Sequence, residues 1–185
     1  MAERMSIIQA LDERDLLVKQ INDRIERTSF VGVIGCEEQI LPGQQISRTE
    51  YAGRAEAAYR RIIELMERYH RIHTAIMASN AGTWIETSFG RFTVASALSL
   101  RSRLKGTGSY EYDSDFEGNF CRKLREEYSR KLELVKNGNS EGSLELLDPL
   151  KAEARADLLE ERKDMLLREL DTRIKVSNAV TMIEP

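Results

Sequence analysis

Residues Ser79–Leu98 read SNAGTWIETSFGRFTVASAL, and this stretch decides the fold because it interrupts a chain otherwise built of long charged helices. It holds the sole tryptophan, two glycines and a run of β-favouring residues. Thr83–Thr87 and Arg91–Thr93 predict two short strands around Ser88-Phe89-Gly90. Thr93 then predicts an N-cap for a helix from Val94 to about Lys105. The expected architecture is all-α: long antiparallel coiled-coil helices with a small β-hairpin between the second and third.

Working outward, the 4–3 spacing of Ile7, Leu11, Val18, Ile21 and Ile25 predicts a first helix over Glu3–Thr28, with Arg14 on the same seam. Residues 29–47 break it. FVGVIG at Phe30–Gly35 suggests a short strand, and Leu41-Pro42-Gly43 a turn. A second helix is expected over Arg48–Ser79, capped by Ser47 or Thr49. Its seam is Ala55, Tyr59, Ile62, Met66, Tyr69, His73 and Ile76, widened by Ala58, Leu65 and Ile72. Beyond residue 105, Gly106–Gly118 reads as a loop. A helix follows over Asn119–Lys136 with Phe120, Leu124, Tyr128 and Leu132 on one face. NGNSEGS links it, across residues 137–148, to a last helix that starts at Asp148-Pro149 and ends near Val180.

The 185 residues suit one domain, over 1–185. Charged residues make up 32% and aromatics 6%, the mixture of amphipathic helices with thin apolar seams. Such seams bury little unless copies associate, so a homo-oligomer is expected. With 28 basic and 31 acidic residues interleaved, no basic stripe argues for nucleic acid. No apolar run is long enough for a membrane span. The N-terminus carries acids where a secretory signal would be apolar, so a cytoplasmic protein is expected. Cys36 and Cys121, far apart and outside any CxxC, read as reduced thiols.

Chemistry-bearing patterns are sparse. His70 and His73, with Glu67 nearby, have a spacing too unspecific for a metal site, and His73 lies on the helix seam. Asp113, Asp115, Glu117 and Gly118 resemble half of an EF-hand loop, but its bidentate glutamate position falls on Leu124. GTGS at Gly106–Ser109 lacks the Lys-Ser/Thr of a phosphate loop. A carboxylate hydrolase would rest on Asp171 or Glu86, with no recognisable set around either. No cofactor is expected. The polar residues at apolar registers are more informative: Asn80, Thr83, Arg91, Arg101, Asp171, Arg173 and Asn178. Converging beside the hairpin, they would cradle a small anionic metabolite or nucleotide. The simpler reading is structural, with Asp171 paired to an arginine and Asn80 and Thr93 capping helices.

ALDERDLLVKQINDRI, IMASNAGTWI with GRFTVASALSLRSRL, and RELDTRIKVSN occur in that order and span nearly the whole chain. Together they resemble the septicolysin-like family of small bacterial coiled-coil proteins. This sequence departs from the family pattern at Ser79-Asn80, at Ala179 and in the Gly106–Gly118 excursion. The resemblance implies a helical, oligomeric protein without established enzymatic activity. A self-associating scaffold or binding module, from a bacterial chromosome or a phage genome, is the expected function. The alternative it implies is a membrane-active, pore-forming-like protein, for which FVGVIG is the one short apolar candidate.

Overall fold

Serine and threonine side chains start three of the helices. Ser6 accepts from the Gln9 amide at 3.2 Å, while the Gln9 side chain accepts from the Ser6 amide at 2.9 Å. That reciprocal box starts α1, Ile7–Arg27. Ser47 accepts from the Glu50 amide at 3.1 Å and starts α2, Arg48–Gly82. Thr93 accepts from the Ser96 amide and starts α3, Val94–Leu104. Two further helices follow, α4 over Phe116–Asn137 and α5 over Ala152–Val180. The computed structural model describes residues 4–36, 39–41, 45–107, 115–137 and 145–185. The class is all-α with small antiparallel β elements.

The chain separates into two compact units, Met1–Ser79 with Asn178–Pro185, and Asn80–Ser177. In the first unit α1 and α2 run antiparallel. The Ser29 and Tyr51 hydroxyls meet at 3.1 Å, and Arg68 donates to Glu13 at 2.8 Å. A step back along one helix is thus matched by a nearly equal step forward along the other. Ile7, Ala10, Leu17 and Ile21 pack against Leu65, Ile72 and Ile76. A two-residue strand β1, Met5–Ser6, pairs antiparallel with the chain's last strand, Met182–Ile183. Met5 and Ile183 thereby join the same core.

In the second unit β2, Trp84–Thr87, and β3, Gly90–Thr93, form the hairpin, with Trp84 opposite Thr93 and Thr87 opposite Gly90. Gly90 has φ 136°, which a side chain would resist. Ile85, Val94, Ala97 and Leu104 pack on Leu170 and Ile174 of α5. α4 runs antiparallel to α5: Asp115 pairs with Lys163, the Cys121 thiol donates to the Ala156 carbonyl, and Arg125 reaches Asp157 and Glu160.

Several expected boundaries and registers are corrected. The first helix starts at Ile7, not Glu3, because residues 5 and 6 are held as a strand. Its buried stripe uses Leu17; Val18 and Ile25 are exposed, and Arg14 on the stripe pairs with Asp15. Phe30–Gly35 forms no strand. The second helix continues past Ser79 to Gly82, with Tyr59 exposed. α4 starts at Phe116 rather than Asn119, since Asp115 accepts from the Gly118 amide and caps it. Phe120 faces outward while Cys121 is buried. The last helix starts at Ala152, whose amide donates to the Asp148 carboxylate at 3.0 Å. Pro149 therefore lies in a turn ahead of the helix, and Lys151 takes a positive φ of 55° there. Pro42, Gly43, Asp113 and most of the 106–118 and 137–148 linkers lie outside the described residues.

Candidate functional site

The hairpin, α3 and α5 meet at a charged corner over the core of the second unit. Asp171 sits one residue past buried Leu170 and accepts from Arg101 at 3.2 Å and from Lys105 at 3.1 Å. Burial pushes its carboxyl up, but the Lys105 ammonium and the Arg101 guanidinium outweigh that and hold it below the usual carboxylate range. Two residues before it, Glu169 accepts from the Ser88 amide at 2.7 Å and from the Ser88 hydroxyl, which ties the hairpin turn to α5. These bonds hold the Glu169 carboxyl down as well. Arg91 stacks over Trp84 at 4.9 Å, and Arg162 over Phe89 at 5.6 Å.

Of the seven residues singled out from sequence, the fold joins Arg101 and Asp171 directly. Thr83 contributes its carbonyl to the Val94 amide at 2.8 Å, locking the hairpin to α3. Arg91 lies exposed on the same hairpin, and Arg173 is exposed on α5, close enough to Glu169 to lower its carboxyl further. Asn80 lies inside the last turn of α2 and does not end it, correcting the capping role. Asn178 belongs to the other compact unit. Lys105, Ser88 and Glu169, which carry much of the corner's bonding, gave no signal in the sequence. Each reads as an ordinary exposed polar residue until the helices are brought together.

The acids near 115 are also committed. Asp115 caps α4 and pairs with Lys163; burial raises its carboxyl, and the Lys163 and Gly118 bonds more than reverse it. Glu117 is held low mainly by Arg103, at 2.8 Å. Both carboxylates pair with cations of the chain itself. In the first unit the His73 ring stacks on Tyr69 at 5.8 Å, and among the described residues its buried Nδ1 has no partner. Among the described residues, no three of His, Cys, Asp and Glu gather as a metal set, and no helix is long and apolar enough to cross a membrane.

A second feature is apolar. A groove of about 520 Å³ runs between the C-terminal half of α4 and residues 145–152. Leu124, Tyr128, Leu134 and Val135 form one wall, and Leu146, Leu147 and Leu150 the other. Leu147 is 89% exposed. Comparison with protein-family models, with curated proteins and with solved structures found no match for this chain.

Proposed function

We propose that this chain is a non-enzymatic helical scaffold or binding module that associates with copies of itself. One observation carries the proposal: α4 buries a single residue of its 22, Cys121, while Phe116, Phe120 and Leu134 stand more than half exposed. A helix gains most of its stability in water from packing an apolar face. Phe116 and Phe120, one turn apart, leave adjoining apolar surface that a second protein would cover. The resemblance to septicolysin-like coiled-coil proteins supports the same reading. Cytoplasmic residence is supported by two free thiols, an exposed Cys36 and a buried Cys121. Sedimentation velocity across the micromolar range tests association directly. Mass increasing with concentration is the expected result, and a constant monomer refutes the proposal.

As a binding module, the corner at Arg101, Lys105 and Asp171 is the place for a small anion or nucleotide. Such a ligand would displace the Asp171 carboxylate and recruit exposed Arg91 and Arg173. Native mass spectrometry of the purified protein should then show a small anion that is lost on Arg173→Ala. A membrane-active reading is favoured by one observation, the exposure of Val31 and Val33 within FVGVIG at 85% and 89%. Liposomes that stay intact at high protein concentration would remove it.

A further inference from the structure

The outward side of α4 carries a row of exposed residues, apolar at both ends and charged in the middle, where Lys123 and Glu127 pair along the helix at 3.6 Å. Phe116, Phe120, Lys123, Glu127, Arg130 and Leu134 follow the 4–3 spacing of a coiled coil, and all six are exposed. They are separate from the stripe of Cys121, Leu124, Tyr128, Leu132 and Val135, which is buried or half-buried. Among the described residues the helix therefore carries two faces, one packed and one exposed.

We infer that the open face of α4 pairs with α4 of a second copy, antiparallel about a two-fold axis near residue 125. The inference rests on the self-association proposed above and names its surface. The charges select the orientation. A parallel pair would set Lys123 on Lys123, Glu127 on Glu127 and Arg130 on Arg130, and like charges in contact are destabilising. An antiparallel pair centred near residue 125 sets Lys123 opposite Glu127 of the other copy, twice over by symmetry. In the same register Phe116 falls opposite Leu134, and Phe120 opposite Arg130, whose guanidinium can cover the ring. Slipping the pair by one heptad either way leaves part of the apolar seam without a partner.

The groove supplies the room. Leu134 lines it together with Leu147 and Leu150, so Phe116 of the second copy, opposite Leu134, enters between these leucines. At about 520 Å³ the groove is in the range that holds a drug-sized ligand, large enough for a phenyl ring from the other copy. Within its own chain Arg103 lies over the Phe116 ring, 5.1 Å from its centre, and Phe116 is still 57% exposed.

Charge exchange tests the pairing. Lys123→Glu and Glu127→Lys each place like charges opposite one another at both symmetric contacts, and each variant alone should dimerise about tenfold more weakly than the parent. An equimolar mixture of the two variants restores opposite charges at both contacts, so it should associate as the parent does. The Lys123→Glu/Glu127→Lys double variant should do likewise. Sedimentation velocity reads all four, and circular dichroism confirms equal helix content. Single variants that self-associate as tightly as the parent would overturn the α4 pairing while leaving self-association standing. Weak variants that do not rescue one another would also overturn it, because the loss would then come from the fold rather than the seam. A parent that is monomeric throughout would remove both readings.

Discussion

Asp115 shows how one side chain serves two ends. Its carboxylate caps α4 through the Gly118 amide and also pairs with Lys163 on α5. Asparagine keeps the cap and loses the charge, whereas alanine loses both. Asp115→Ala should cost about 2 kcal/mol, a fall of roughly 4–8 °C in melting temperature. Asp115→Asn should cost about half as much, measured by thermal denaturation at neutral pH. If the two variants melt together, the cap contributes nothing. Four acids of the second unit also shape its pH response. Asp115, Glu117, Glu169 and Asp171 all titrate below their ordinary values of 3.8 for aspartate and 4.5 for glutamate. A depressed folded-state value gives stability that is complete above the ordinary value and lost as pH falls through the folded one. Helix content should hold down to about pH 5 and fall below pH 4, and Asp115→Asn should make that acid limb shallower. That Asp171 pairs with an arginine was legible in the sequence because both break an apolar register, but which arginine was not. Lys105 and Glu169 were not, since nothing marks which exposed charge a distant helix will reach.

At the scale of elements, threonine 93 ends one structure and begins another. It pairs across the hairpin with Trp84, and its hydroxyl accepts from the Ser96 amide at 3.1 Å to start α3. Thr93→Ala should lower stability by about 1 kcal/mol, while Thr93→Ser, which keeps the hydroxyl, should stay within a few tenths. Chemical denaturation followed by circular dichroism reads the difference, and equal losses would assign the cost to strand packing instead. This hairpin was readable because β-favouring residues flank a short turn inside a helical context, so the change of period is abrupt. The stripe of α1 was harder. Leu16, Leu17 and Val18 are consecutive, and periodicity alone does not say which of the three faces inward. The start of α4 was missed because DSDFEG reads equally as a solvated loop until Asp115 finds Lys163. The pairing of β1 with the final strand lies beyond local pattern altogether, as each is two residues long and they come from opposite ends of the chain.

For the whole molecule, the question is whether one copy suffices. Each compact unit has its own small core, Met5 to Ile183 in one and Ile85 to Ile174 in the other. Outside those cores Leu16, Tyr59, Leu134, Leu147 and Leu158 are all more than half exposed. If copies cover part of this surface, the folded state is favoured by mass action and the melting temperature depends on protein concentration. A chain of this length has an unfolding enthalpy on the order of 130 kcal/mol, twice that for a dimer. A tenfold rise in concentration should then raise the melting midpoint by about 2 °C. Scanning calorimetry over two decades of concentration above the dissociation midpoint seen by sedimentation measures the slope. Lys123→Glu should flatten it at the lower concentrations, where the weakened pair has already come apart. A midpoint unchanged across both decades would mean that each copy is stable by itself and that these exposed side chains are not a self-association surface.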